Sequence, residues 1–160
     1  MTTTDVLAVE TADLSGAYVL DPTHTRLGFV ARHAMVTKVR GSFGAFEGSA
    51  VLDFADPSRS SATVSFDIAS ISTGQPQRDD HLRTNDFFDA ATYPKGEFVS
   101  TSVTANGDGT FELLGDLTLK GVTKPITISW ESTGSAKDPF GNTRLGFEGR
   151  AVINRKDWGI

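Results

Sequence analysis

The stretch from Thr110 to Glu131, reading TFELLGDLTLKGVTKPITISWE, constrains the fold more than any other part of the chain. Phe111, Leu113, Gly115, Leu117 and Leu119 alternate with Glu112, Leu114, Asp116, Thr118 and Lys120. Successive side chains of a strand point to opposite faces, so this period of two describes a strand with one face buried. A second arm repeats it, with Ile126, Ile128 and Trp130 set against Thr127, Ser129 and Glu131. Between the arms, the six residues from Lys120 to Pro125 supply the turn: Gly121 tolerates positive φ, and Pro125 stands where the second strand begins. Two long half-buried strands with a short connection predict an antiparallel hairpin.

The rest of the chain repeats that design. A short strand at Tyr18-Val19-Leu20 is ended by Asp21-Pro22-Thr23-His24. One face then carries Leu27, Phe29, Ala31 and His33; after a loop through Met35 and the segment 38–43, another carries Phe46, Gly48, Ala50, Leu52 and Phe54. Ala62, Val64, Phe66 and Ile68 form the cleanest row, a further strand covers 97–104, and Leu145, Phe147, Gly149, Ala151 and Ile153 form the last row. Turn clusters separate them at 56–59, 106–109 and 138–142, a spacing that predicts an antiparallel sandwich or barrel. The pattern breaks once, over Arg78–Ala91, where Asp79-Asp80 suits a helix start and Leu82, Phe87 and Phe88 would anchor a short helical cap near 79–91. With no internal repeat or linker, the expected organisation is a mobile tail at 1–15 and one domain at 16–160.

Composition narrows the function classes. The chain has 160 residues and no cysteine, which excludes disulfides, thiolate metal sites and cysteine nucleophiles. A formal charge of −5 argues against general attraction to nucleic acid. No apolar run has the length of a membrane span. The N-terminus carries Asp5, Glu10 and Asp13 and no basic leader region, so a cytoplasmic location is expected.

The apolar face mixes large residues with small ones. Phe29, Phe46, Phe54, Phe66, Leu113, Leu117, Trp130 and Phe147 alternate with Ala31, Gly48, Ala50, Ala62, Gly115, Gly149 and Ala151. In a barrel, small inward residues either leave an open tube for a ligand or seat bulky neighbours across the core. Both readings stand on the pattern alone. His33 ends an apolar row, where it would either meet a ligand oxygen or be satisfied by a backbone carbonyl. His24 reads as a turn residue bonded locally, and His81 lies in the expected cap; the three histidines fit no zinc spacing. Arg26, Arg32, Lys38 and Arg40 form a segment without acidic residues, suited to an anion or simply to a solvated face. Nucleophile-elbow, Walker, dinucleotide-binding and zincin motifs are all missing, and Asp79, Asp80 and His81, being sequence neighbours, do not face one another.

Three ordered motifs, LDPTHTRLGFVARHAMVTKVRGSF, QRDDHLRTNDFFDAATYP and GDLTLKGVTKPITI, resemble the YceI-like family of polyisoprenoid-binding, lipocalin-like proteins, and the likeness runs from Tyr18 to Ile160. His24, Phe29, His33, Gly41, Phe43, Arg78, Asp80, His81, Leu82, Phe87, Phe88, Gly115, Leu117, Gly121 and Pro125 match its motifs. The resemblance implies an all-β fold: an extended antiparallel lipocalin-like barrel of about eight strands, holding a long isoprenoid chain with a pyrophosphate or quinone head towards the opening. Taken with the apolar rows, it selects Phe29, His33, Phe43, Phe46, Phe54, Phe66, Arg78, His81, Arg83, Phe88, Leu113, Leu117, Trp130 and Phe147 as ligand-binding residues. The expected activity is binding, storage or transport of an isoprenoid or other hydrophobic small molecule without catalysis, metal or cofactor. Competing expectations are an enzyme on a lipid-like substrate with His33 or His81 as general base, and a structural barrel with a filled core. The segment Ile153–Ile160 looks like the family's approach to a last strand, so either further residues or a homodimer covering the gap is expected.

Overall fold

The computed structural model describes residues 14–33 and 37–160, apart from the His33 side chain. Of the expected tail, only Leu14 and Ser15 are therefore described, and both are tied to the sheet by hydrogen bonds. Leu14 is buried and its carbonyl accepts the Tyr18 hydroxyl at 2.6 Å, while Ser15 Oγ accepts the Phe54 N–H at 2.9 Å.

Ten strands follow: β1 Gly16–Val19, β2 Leu27–His33, β3 Thr37–Phe43, β4 Phe46–Leu52, β5 Ser61–Asp67, β6 Ile71–Ser72, β7 Lys95–Ala105, β8 Thr110–Leu119, β9 Val122–Lys137 and β10 Thr143–Arg150. Seven form a curled half-barrel in the order β1-β4-β5-β7-β8-β9-β10, and β2-β3-β6 form a second sheet. Every pairing is antiparallel. The fold is thus the all-β, lipocalin-like barrel expected, divided between two sheets and, among the described residues, carrying one short α-helix, α1, at Pro76–Leu82.

The β8–β9 hairpin is tighter than its sequence predicts. Leu119 pairs with Val122, so the turn is only Lys120-Gly121, at φ 50° and 74°. Two consecutive positive-φ residues give the primed turn whose twist matches that of the strands. Lys120 tolerates this conformation while its Nζ donates to the carbonyls of Asn85 and Gly159, at 2.9 and 3.1 Å. Pro125 consequently lies inside β9, opposite Asp116. That is permitted because β10 reaches along β9 only as far as Ser129, leaving β9 an edge at Pro125 where a missing N–H costs no ladder bond.

Register irregularities at Ser100/Ser102 in β7 and at Gly146/Phe147 in β10 bend the sheet. The curl brings its opposite edges into contact: Arg144 on β10 forms an ion pair with Asp21, just after β1. The two sheets meet where Phe43 of β3 packs on Phe66 of β5, ring centroids 4.8 Å apart.

One end of the barrel is closed. Ile68 and Ile71 are each 1% exposed, and Phe43, Phe66, Phe98, Leu117 and Leu119 complete a core with Trp158 and Ile160. The last apolar row ends earlier than expected. β10 stops at Arg150, Ala151 and Ile153 are exposed, and the chain turns through a 3-10 segment, Arg155–Trp158. That turn drives the Trp158 indole into the core, where its N–H donates to the Leu117 carbonyl at 2.9 Å.

Candidate functional site

Burial falls along the strands away from that closed end. In β3, Phe43 and Gly41 are buried and Val39 half-buried; in β5, Phe66 is buried and Val64 and Ala62 half-buried; in β8, Leu119, Leu117 and Leu113 are buried and Phe111 half-buried. Neighbouring strands pair in register, so these half-buried positions lie at the same end, joined there by Ala31, Ala50 and Trp130. The inner surface is therefore dry and filled at one end and only partly covered at the other.

The sequence left two readings of the small inward residues, and the glycines decide for the second. Four are roofed by a ring, Phe29 over Gly41, Phe66 over Gly96, Phe98 over Gly115 and Trp130 over Gly149, while Gly48 lies under the Leu20 side chain. A Cβ on the four roofed glycines would meet those rings at 2.4, 2.2, 2.3 and 2.5 Å. Three of the four pairs are direct register partners, the aromatic-over-glycine arrangement that pins register in curved sheets. The alanines behave differently. Ala50 and Ala62 border an open groove of about 350 Å³ that crosses β1, β4 and β5 and includes Tyr18. Only those three neighbouring strands bound it, so it is a depression on one sheet.

The expected ligand-binding residues separate by level. Phe43, Phe66 and Leu117 are buried core at or near the closed end, Leu113 is buried further along β8 opposite Ile128, and Phe88 stands edge-on to Phe43 at 6.0 Å. Phe29, Phe46, Trp130 and Phe147 are half-buried. Phe54 falls past the end of β4, in a bend fixed by Ser15. The His33 imidazole lies outside the described residues; its backbone pairs with Thr37 at the end of β2 remote from the cap.

The cap lies apart from His33, although the sequence selects Arg78, His81, Arg83 and His33 together as ligand-binding residues. β2 starts at Leu27, which pairs with Phe43, itself paired with Ile71 beside α1. His33 is six residues further on, about 20 Å at strand rise. The two groups occupy opposite ends. The helix itself begins at Pro76, three residues before the expected start, with proline pre-organised for the first turn. Asp79 then lies inside the helix, buried, accepting the Thr73 N–H at 2.9 Å and the Thr73 hydroxyl at 2.6 Å. Arg78 donates to Thr73 Oγ1 and carbonyl at 2.7 and 2.9 Å. Arg83 donates to the carbonyls of Ala69 and Ile71 at 2.9 and 3.1 Å and to Asp80 at 2.9 Å. These guanidinium groups tie α1 to the loop around β6. His81 is exposed, paired with Asp86 at 2.9 Å and edge-on to Phe87.

Charge is kept off the inner surface. Arg26, Arg32, Lys38 and Arg40 are exposed, and Lys124 and Lys137, at inward positions of β9, are exposed as well. Among the described residues the buried polar side chains are Asp79 and Ser135, neither of them a cation. His24 is the local turn residue expected: its Nδ1 lies 2.8 Å from Asp21 Oδ2 and 2.9 Å from the Thr23 hydroxyl. Donation from Thr23, His24 and Arg144 holds the Asp21 carboxyl well below the usual carboxylate range. Among the described residues no cluster of three His, Asp or Glu groups is placed to hold a metal, and no helix is long and apolar enough to cross a membrane. What the sequence did not reveal is the Trp130 indole N–H, which is buried without a hydrogen-bond partner. A tryptophan on an inward strand face was the one available signal.

This architecture occurs in known proteins. A UPF0312 protein of Pseudomonas savastanoi pv. phaseolicola is 40% identical over 162 residues, covering 96% of this chain and 84% of the relative. The crystal structure of Burkholderia cenocepacia BcnA superposes with a TM-score of 0.78 at 25% identity, covering 86% of this chain and 82% of that one. Campylobacter jejuni YceI protein gives 0.72 at 33% identity, over 88% and 82%. More distantly, a domain of Saccharophagus degradans described as polyisoprenoid-binding shares the fold at 0.51 and 17% identity, over 76% of each chain. The model of the YceI-like domain matches residues 18–160, and the chain belongs to that family.

Proposed function

We propose that the chain binds a long-chain isoprenoid lipid between its two sheets, for storage or transport, and performs no chemistry on it. The observation that carries this reading is the gradient of burial: inward apolar positions that are filled at the capped end and half-covered at the other. A prenyl chain laid along Phe29, Ile128, Trp130 and Phe147 would leave water at roughly 25 cal/mol per Å² of apolar area. Of the residues expected from the sequence, Phe29, Trp130 and Phe147 supply the contact, with Ile128 added beside its register partner Leu113, while Phe43, Phe46, Phe66, Phe88 and Leu117 form the floor. Arg78 and Arg83 hold the cap. Membership of the YceI-like family agrees with a binding role, and the Saccharophagus degradans domain contributes only likeness of fold, from which function does not follow.

The filled structural barrel has one observation in its favour, the four glycines roofed by aromatic rings. Those seats account for the glycines but not for the half-buried alanines. The edges of β1, β10 and the first half of β9 pair with nothing among the described residues, so a second copy aligned on an edge is the protein partner this reading adds. Lipid extraction of the purified protein followed by mass spectrometry tests the proposal. A co-purifying isoprenoid is expected, or saturable uptake of an added one. Protein that is empty and takes up no prenyl lipid overturns it in favour of the filled barrel.

A further inference from the structure

The Trp130 indole N–H is buried and has no hydrogen-bond partner among the described residues. An unmade bond of this kind is costly in a folded protein and calls for an explanation. The contrast with Trp158 is direct, because that indole, in the core of the capped end, donates to the Leu117 carbonyl at 2.9 Å. Trp130 pairs with Phe111 on one side and Gly149 on the other, within the half-covered part of the barrel. Its six-membered ring, through Cε3 and Cζ3, lies on Gly149. The N–H is carried on the opposite edge of the ring system, away from that seat. The glycine thus fixes the ring and leaves its donor free.

Resting on the isoprenoid-binding reading, we infer that Trp130 is the specificity-determining contact of this site and that its N–H donates to a neutral acceptor oxygen of the ligand: a carbonyl, ether or hydroxyl attached to the prenyl chain. The electrostatics decide between neutral and charged. A buried phosphate would need a cation beside it, and neither buried polar side chain among the described residues is one. A single neutral donor in an apolar wall matches a single neutral acceptor, fixing orientation while the chain supplies affinity.

Three isoprenoid probes of similar length separate the possibilities: phytone (a saturated methyl ketone), pristane (the hydrocarbon with a methyl branch in place of that carbonyl) and phytyl pyrophosphate. Binding is measured by calorimetry, and the two indole N–H resonances are followed by ¹⁵N-edited NMR. Phytone should bind more tightly than pristane, move the Trp130 resonance downfield and leave that of Trp158 in place. Trp130→Phe, which keeps a ring over Gly149, should weaken phytone by roughly three- to tenfold, the worth of one neutral hydrogen bond, without changing pristane. Phytyl pyrophosphate should leave the Trp130 resonance unmoved. If pristane binds as well as phytone, or Trp130→Phe weakens both equally, Trp130 only packs; this inference falls and the binding proposal stands. A pyrophosphate that shifts the Trp130 resonance overturns the neutral-head assignment. If none of the three binds, both readings fall together.

Discussion

The capped and uncapped ends of this barrel are made from the same strands, yet they are filled in different ways. At the capped end, side chains from non-adjacent parts of the chain converge: Phe43 and Ile71 from the small sheet, Phe66 from the large one, Ile68 from the loop between β5 and β6, Trp158 from the C-terminal turn. At the other end, apolar residues face inward along single strands, and among the described residues nothing of comparable size comes across to cover them. The difference teaches that alternation alone makes a surface apolar without making it a core. A core needs a third element laid across the rows, and here α1 and the 155–160 segment supply it at one end only.

The sharpest test of that contrast is truncation at the two ends. Ile68→Ala should cost about 2–5 kcal/mol, the range for emptying a packed aliphatic site. Ile128→Ala, half-buried on β9, should cost well under half as much and should lower prenyl-lipid binding instead. Urea unfolding of the two variants measures this. Equal losses would mean that the uncapped end is packed as tightly as the capped one.

The roofed glycines give the next effect. Gly96→Ala places a methyl group 2.2 Å from the Phe66 ring and should destabilise by about 1–3 kcal/mol through overpacking. Gly115 behaves likewise, because its neighbours are the Phe98 ring at 2.3 Å and the Val99 carbonyl oxygen at 2.6 Å. A bulky residue there would unfold the sheet locally and not plug a tube. Ala62→Trp, beside the open groove, should instead remove prenyl-lipid binding with a stability change below about 1 kcal/mol. Denaturation and ligand titration on the same samples separate the two cases.

These cases show what the sequence carried. The alternation of Phe111–Leu119 and Ile126–Trp130 identified strands, faces and the hairpin, because a period of two has one structural meaning. It also placed Leu114 outward, where it is 42% exposed. It could not say which glycine sits under which ring, since that depends on cross-strand register, nor that Pro125 is tolerated inside β9, since that depends on where β10 stops. The cap misled for a related reason. Arg78, His81 and Arg83 have the chemistry of a head-group site, but only the fold reveals that both guanidinium groups are occupied by Thr73, Ala69, Ile71 and Asp80. Trp130 was legible as an inward aromatic, and its unpartnered N–H was not.

Occupied donors in the cap predict an effect on folding without one on ligand choice. Arg83→Ala should cost about 1–2 kcal/mol, the loss of charge-assisted bonds to two carbonyls at a partly exposed site. It should leave the preference between prenyl alcohol and prenyl pyrophosphate unchanged. A variant that folds normally but loses that preference would move the head group to the capped end and invert the contrast drawn above.

The smallest effect concerns the seam between the sheet's outer strands. Asp21, after β1, accepts from Thr23, His24 and Arg144, and those bonds hold its carboxyl below the usual range while raising the Arg144 guanidinium. The folded pKa is depressed, so the carboxylate's contribution is complete above the ordinary unfolded value near 4 and is lost as pH falls from there towards the folded value. Asp21→Asn should therefore lower Tm modestly at pH 7, and the gap from wild type should shrink below about pH 4. Because the group is only partly covered and its partner Arg144 is exposed, added salt should shrink the gap as well. A gap that stays constant from neutral to strongly acid pH would show that Asp21 acts only by shaping its turn, and that the curl of the large sheet is held by packing at the capped end alone.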